Sequence, residues 1–311
     1  MAKKPAARKQ VARKPAAKVS KGRPVGLFTW IAVGLVVVVV AALVVIKVTS
    51  GSATTSGTSS FQATDAATVA ELTTIPASVF NTIGVDSPVS PVSPPQALAG
   101  QPALTSTDAN GKMVPEVFYL GAEYCPFCAA QRWPVIIALS RFGKWSGLGN
   151  MTSSSSDVYP STPTFTFLKS KYTSPYLVFK SVETETNVYD SSTGAYGTLQ
   201  TPSASEKALF DKYDTSTYIK GLSSSDDGSI PFMSIGNKFL VSGASYTPAT
   251  LQSLSRTSIA QALQTTTSPV TEAIITSANY LTAAICSVTG QMPSNVCTSA
   301  GVLAAKKAMK I

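Results

Sequence analysis

Histidine is absent from this chain of 311 residues. Its absence excludes hydrolases that use a Ser-His-Asp triad or a Cys-His pair, because both need an imidazole as the general base. It also excludes zinc sites with imidazole ligands. Any covalent chemistry of this chain must therefore depend on other side chains.

Charged side chains are scarce beyond the first 24 residues. The formal net charge is +9, but nine of the 25 Lys and Arg residues lie in residues 1–24, which contain no acid. The remaining 16 basic residues balance the 16 acidic ones. We predict residues 1–24 to be a disordered basic cytoplasmic tail, because they hold almost no large apolar side chains. Such a tail could hold anionic lipid or nucleic acid, but a topogenic signal is the favoured role and nucleic acid is not expected.

A long uncharged run comes directly after this tail. Leu27–Ile46 is twenty residues without charge, about the ~20 residues that a helix needs to span a bilayer. A cleaved signal peptide is the alternative, but its apolar region is typically ~7–15 residues and no convincing cleavage site closes this one. We therefore predict a transmembrane helix over residues 25–48. The cations before it place the N-terminus in the cytoplasm and residues 48–311 outside the cell membrane, in a single-pass topology.

Residues 49–103 differ in composition from residues 104–311. They begin with a Ser/Thr/Gly-rich stretch and end with a proline-rich one, which predicts a tether and a linker. Apolar residues between 65 and 85 predict one or two short helices, interrupted at Pro76, that dock on the main domain. Residues 104–311 are predicted to form that extracytoplasmic domain.

Turn residues and periodicity give a coarse secondary structure for the domain. We predict hairpins over Leu104–Leu120 and Ile230–Val241, and helices over Ser203–Gly221, Thr247–Thr265 and Val270–Ile285. The remaining predictions are strands at Thr164–Leu168 and Tyr176–Thr184, a polar loop at Tyr189–Thr201 and a short basic tail at Ala300–Ile311.

The four cysteines form two close pairs, Cys125 with Cys128 and Cys286 with Cys297. An even number in two pairs favours an oxidising compartment. Together they could hold zinc only if the fold brought all four thiolates to one place, so we predict no metal site. Cys286 and Cys297 are interpreted as a structural disulfide, and a relay pair that exchanges electrons with Cys125 is the alternative.

The stretch around Cys125 has a recognisable order of elements. Val117–Leu120 is β-prone, Gly121 breaks it, and a helical pattern comes after Cys125-Pro126-Phe127-Cys128. This order puts Cys125 at a helix N-terminus, where free N–H groups and the helix dipole stabilise a thiolate. A thiolate there is a nucleophile toward disulfides.

Strand, turn, Cys-x-x-Cys and helix in this order resemble the redox motif of the thioredoxin-like superfamily. The whole chain resembles a membrane-anchored family, domain of unknown function 929, with a Cys-Pro-x-Cys motif. The resemblance implies an α/β thioredoxin-like domain in which Cys125 reacts first and Cys128 resolves the mixed disulfide, with no cofactor. Tyr124 and Phe127 would contact the substrate beside the sulfur.

A proline that opens a later strand resembles the cis-proline element of this superfamily. Pro231 would then lie against Cys125, and the Ile230 backbone would pair with substrate; an ordinary trans proline at a strand start is the alternative. The 106-residue separation from Cys125 implies an insertion at about 143–225. Tyr119 stands where thioredoxins carry a buried acid, and Glu123 is interpreted as a solvated turn carboxylate rather than a proton acceptor.

We therefore predict a membrane-anchored thiol-disulfide oxidoreductase that acts on thiols or disulfides of secreted or membrane proteins. A separate redox partner would recycle it. The alternative is a non-catalytic, disulfide-stabilised binding or envelope scaffold.

Overall fold

The computed structural model describes residues 61–85 and 91–311. The basic tail and the predicted membrane span Leu27–Ile46 lie outside these ranges. Within them, no helix is both long and apolar enough to cross a membrane. The described chain is a mixed α/β structure with several sheets and helices.

The strands are, in chain order, β1 Gln62–Ala63, β2 Gln96–Ala97, β3 Thr105–Thr107, β4 Met113–Gly121, β5 Lys144–Ser146, β6 Gly149–Thr152, β7 Pro163–Thr166, β8 Lys171–Thr173, β9 Val178–Glu183, β10 Glu185–Asp190, β11 Ala195–Thr198, β12 Phe232–Ile235 and β13 Phe239–Ser242. The α-helices are α1 Ala66–Thr73, α2 Ala77–Ile83, α3 Pro126–Ser140, α4 Ala204–Tyr213, α5 Arg256–Ala262, α6 Pro269–Val288, α7 Ser294–Cys297 and α8 Ala300–Met309.

Strand β4 is the centre of the main sheet. β12 pairs with it antiparallel, with Phe232 opposite Leu120, and β9 pairs with it parallel, with Glu183 opposite Gly121. β13 and then β2 extend the sheet beyond β12, while β3 pairs with the first residues of β4. The two predicted hairpins are confirmed. The strands predicted at Thr164–Leu168 and Tyr176–Thr184 are confirmed by β7 and β9.

Alternate residues of β4 pack into different hydrophobic layers, as the two-residue period of a strand requires. Val117 and Tyr119 belong to the large cluster that includes α3 and α6. A smaller cluster comprises Phe118, Leu120, Val182, Tyr213, Ile219, Phe232 and Leu240. Apolar side chains therefore cover both faces of β4.

Helix α3 carries the cysteine pair and is almost wholly buried. Pro134 lies inside it and leaves the Ala130 carbonyl without its helical N–H donor. The Tyr246 hydroxyl donates to that carbonyl at 2.9 Å instead. The helix thus accommodates the proline without an unsatisfied buried acceptor.

Helix α6 packs against α3, α2 and α8. Its Asn279 side-chain amide donates to the carbonyls of Phe80 and Gly84, at 2.9 and 2.8 Å, which fixes the end of α2. The expectation that residues 65–85 form helices and dock on the domain is confirmed by α1 and α2. The predicted helix Val270–Ile285 is also confirmed, and extends to Val288.

Four other predictions were wrong in part. α4 begins with the predicted Ser203 and Glu206 capping box but ends at Tyr213, where Asp214 leaves helical geometry. Thr247–Thr265 is not one helix, because Ser255 caps a new helix after a short 3-10 turn at Pro248–Leu251.

The other two concern the predicted loop and the predicted tail. Tyr189–Thr201 contains β11, which pairs with β10 in a hairpin. Ala300–Ile311 is mostly helix α8, whose Val302 and Ala305 are fully buried against the core. Both segments were too short for their periodicity to show.

The range 143–225 is not an insertion of helix and loop alone, because it also contains the strands β5 to β11. β5 pairs with β8, β6 pairs with β1 and β7, and β10 pairs with β11. β9 lies in the same range but belongs to the main sheet, beside β4. This range therefore contributes both to the centre of the domain and to its periphery.

Candidate active site

Cys125 is the N-cap residue of α3. Its sulfur accepts a hydrogen bond from the Cys128 N–H at 3.2 Å, which is one of the free N–H groups of the first helical turn. Pro126 suits the first helical position because it needs no N–H acceptor there. The sequence thus folds locally so that a helix N-terminus points at this sulfur.

The two thiols are free and differ in accessibility. Cys125 is 5% exposed, whereas Cys128 is 0% exposed. A hydrogen bond from the Cys128 thiol lowers the pKa of Cys125 against the opposing effect of burial, and the Cys128 N–H and the Arg132 guanidinium lower it further. Burial, together with the neighbouring Cys125, raises the pKa of Cys128. The more accessible thiol is therefore also the more acidic one.

The start of β12 lies against Cys125. The Cys125 thiol donates to the Ile230 carbonyl, with an S···O distance of 3.7 Å, although 105 residues separate them. The Ile230–Pro231 peptide bond is cis. The structure therefore brings together three residues that the sequence analysis had proposed as one site.

A buried ion pair lies beneath the two cysteines. Arg132, one helical turn after Cys128, bonds to the Glu183 carboxylate through Nη2 at 2.5 Å and Nε at 2.9 Å, and both side chains are fully buried. Arg132 Nη2 also donates to the Ala122 carbonyl at 2.8 Å. Sequence analysis missed this pair, since only tertiary structure brings the end of β9 to α3.

Two further buried polar groups are close by. Glu123 is 1% exposed, so its interpretation as a solvated turn carboxylate was wrong. Burial raises its pKa, and the Thr166 hydroxyl opposes this only in part. The Tyr119 hydroxyl has no hydrogen-bond partner among the described residues, and a Cβ on Gly121 would lie 2.5 Å from it. Glycine is thus required at the end of β4.

Aromatic rings flank the cysteine pair on two sides. The Tyr124 ring stacks on Tyr196 of β11, with centroids 4.2 Å apart and planes 4° apart. Phe127 is 39% exposed and meets Tyr159 edge to face at 5.8 Å. Tyr124 and Phe127 therefore lie where a molecule that approaches Cys125 would contact them.

Cys286 and Cys297 form a disulfide at the other end of the sheet. Val288, two residues after Cys286, lies against Gly236. A Cβ on Gly236 would be only 2.8 Å from the Val288 side chain. Cys125 instead lies against Ile230, at the other end of β12, and the four residues of that strand span ~13 Å. A direct exchange between the two cysteine pairs does not fit this separation.

No group of three or more Cys, Asp or Glu side chains in the described ranges could hold a metal ion. The site is thus a dithiol at a helix N-terminus in an α/β protein.

A family model described as Domain of unknown function (DUF929) matches residues 103–287, and the chain belongs to that family. No curated protein and no solved structure matches the chain.

Proposed function

We propose that the protein is a membrane-anchored, extracytoplasmic thiol-disulfide oxidoreductase with a thioredoxin-like fold, and that it acts on cysteines of secreted or membrane proteins. The observation that carries the proposal is the environment of Cys125. Its sulfur is at a helix N-terminus, is more exposed and more acidic than that of Cys128, and lies 3.7 Å from the Ile230 carbonyl.

The arrangement of elements supports the thioredoxin-like fold. β4 runs into the Cys-x-x-Cys helix, β9 lies parallel to β4, and the antiparallel pair β12–β13 begins at Phe232, directly after Pro231. The predicted span Leu27–Ile46 supports the anchor, and the Cys286–Cys297 disulfide supports an oxidising compartment.

In the reducing direction, the Cys125 thiolate attacks one sulfur of a substrate disulfide. A mixed disulfide forms, and the other substrate sulfur leaves as a thiolate. Cys128 then loses its proton and attacks Cys125 Sγ, which releases the second substrate thiolate to take up that proton. Two electrons pass from the dithiol to the substrate, and the reverse sequence oxidises a substrate dithiol. A redox protein with its own dithiol or disulfide would restore the pair.

Substitution of the two cysteines tests the proposal. Cys125→Ser in the full-length protein should abolish reduction of insulin disulfides, while Cys128→Ser should accumulate a mixed disulfide with the substrate. Full activity of the Cys125→Ser variant would refute the assignment.

The low exposure of Cys125 favours one alternative, a non-catalytic scaffold that keeps the same fold for binding. In that case Cys125 should resist iodoacetamide as strongly as Cys128 does. Titration of thiol reactivity against redox potential separates the two functions, because an oxidoreductase should show a reversible two-electron transition.

A further inference from the structure

A cavity of about 190 Å³ lies at the end of α3 that is remote from Cys125. α1 and α2 form one wall through Leu72, Ile75 and Phe80, and the α7 segment contributes Asn295 and Val296. With about 15 residues of α3 between them, the cavity and the dithiol are ~20 Å apart. The cavity is therefore separate from the candidate active site.

Arg141 is the one charged side chain that lines this cavity among the described residues. Its Nη1 donates to Asn279 Oδ1 and Thr282 Oγ1, both at 3.3 Å, and its Nη2 donates to Ser299 Oγ at 3.0 Å. The guanidinium also lies over the Phe80 ring, 4.3 Å from its centroid. All of these partners are electrically neutral.

This environment contrasts with that of Arg132. Arg132 bonds to the Glu183 carboxylate, whereas no carboxylate in the described part of the chain reaches Arg141. Arg141 is partly buried, and a cation withdrawn from water is costly unless an anion pairs with it. Burial accordingly lowers the pKa of Arg141 to about 10, which still leaves the side chain cationic at neutral pH.

The end of α3 compensates this charge only in part. A helix C-terminus offers roughly half an elementary negative charge, and α3 ends at Ser140, next to Arg141. The rest of the positive charge is uncompensated at the wall of the cavity. An anion that entered the cavity would neutralise it in a partly desolvated place, where such a pair is strong.

The size and lining of the cavity restrict the anion further. A cavity of ~150 Å³ accommodates benzene, so about 190 Å³ suits a molecule slightly larger. Apolar side chains form much of its wall, which disfavours phosphate or sulfate, while Ser140 and Asn295 supply neutral polar groups. We propose that this cavity binds a small monocarboxylate with a compact apolar body, whose carboxylate pairs with Arg141.

Calorimetric titration of the full-length protein in detergent micelles tests this proposal, with empty micelles as the blank. Benzoate should bind saturably. Benzyl alcohol, which has no charge, and inorganic phosphate, which has no apolar body, should each bind about tenfold more weakly or worse. An absence of benzoate binding, or equal binding of phosphate, would overturn the proposal.

Three variants locate the binding. Arg141→Gln should weaken benzoate binding about tenfold or more through loss of the charged hydrogen bonds. Ala77→Trp should block binding while Arg141 is kept, because Ala77 is exposed and lines the cavity. The matched control is Arg256→Gln, which removes another partly buried arginine elsewhere and should leave benzoate affinity unchanged. Unaltered affinity in the folded Ala77→Trp protein would contradict the site.

Discussion

In the buried Arg132–Glu183 pair, the positive charge of Arg132 affects the pKa of both thiols. The Cys128 thiol and then Arg132 lower the pKa of Cys125, and Arg132 also opposes the burial that raises the pKa of Cys128. Glu183 accepts two hydrogen bonds from the guanidinium and thereby neutralises part of the positive charge that acts on the two sulfurs. The pair is therefore expected to tune thiolate stability.

Changes to the two partners should act in opposite directions on Cys125. Arg132→Gln should raise the pKa of Cys125, because the cation that favours the thiolate is gone. Glu183→Gln should lower it further, because the charge of Arg132 is then uncompensated. Thiolate absorbance and iodoacetamide rates measured against pH check both results.

If the pair had a purely structural role, both Gln variants should shift the pKa of Cys125 in the same direction. Each variant breaks a buried pair and should lose roughly 3–5 kcal/mol of unfolding free energy, so stability alone does not discriminate. Arg132→Lys keeps the charge and serves as the matched control, with a Cys125 pKa close to that of the parent protein. A parallel shift of the pKa in the Gln variants would contradict this role for the pair.

The sequence predicted those site residues whose positions depend on local order. Cys125 at the N-cap is indicated by strand, glycine and helix along one stretch, and Pro231 was found because it opens a β-prone run. Glu123 was misjudged, because a carboxylate two residues before a cysteine gives no sign of the strands that bury it. Arg132 had a usable signal in its position one turn after Cys128, but nothing local indicated Glu183.

At the level of elements, the segment from α4 to β12 contains a carboxylate with no hydrogen-bond partner. Asp214 comes directly after α4 and is 1% exposed, and neither carboxylate oxygen is paired with another described group. Burial, helped by the nearby Asp227, raises its pKa from 3.8 to about 6. The folded state therefore prefers the protonated acid.

This preference gives a pH dependence of stability with a defined sign. The contribution of protonated Asp214 to folding stability is fully present below about pH 4, near the pKa of this group in the unfolded chain. It is lost as the pH rises through about 6, the pKa in the folded chain. Asp214→Asn should thus gain stability relative to the parent between pH 4 and 7. Thermal unfolding at several pH values checks this, and a difference that stays constant with pH would contradict it.

The β10–β11 hairpin is a second element that acts on the site, since its Tyr196 covers Tyr124. Tyr196→Ala should cost ~0.5–1.5 kcal/mol beyond the lost burial and should speed alkylation of Cys125, because the neighbouring ring is released. Tyr189→Ala is the matched control, as Tyr189 contacts Tyr196 at 5.3 Å but is already 46% exposed. Equal alkylation rates in both variants would argue against this role of the hairpin.

Over the whole molecule, elements were predictable where their own residues carry the pattern. β4, α3 and α6 have long apolar runs with clear periods, so their positions were found. Helix α8 was missed because its ten residues bury only a narrow stripe, and its stability comes from packing on α2 and α6. The pairing of β9 with β4 depends on contacts more than 60 residues apart, which no local pattern contains.

The Cys286–Cys297 disulfide holds the C-terminal segment on this core and gives the last prediction. It closes a loop with a sequence separation of 11 and joins α6 to α7, and both sulfurs are fully buried. A loop of this length predicts ~2–3 kcal/mol of stabilisation. The double variant Cys286→Ser/Cys297→Ser should therefore unfold at lower temperature.

The double variant should nevertheless reduce insulin below its melting point at a rate within about twofold of the parent. Val288 and Ile230 place the two cysteine pairs at opposite ends of β12, whose four residues span ~13 Å. A relay would behave differently, since loss of the second pair would leave Cys125 and Cys128 without an electron donor or acceptor. Single-turnover and multiple-turnover assays separate these cases. If the double variant completed one turnover and then stopped, where the parent continues with the same reductant, the disulfide would be a redox relay rather than a structural link.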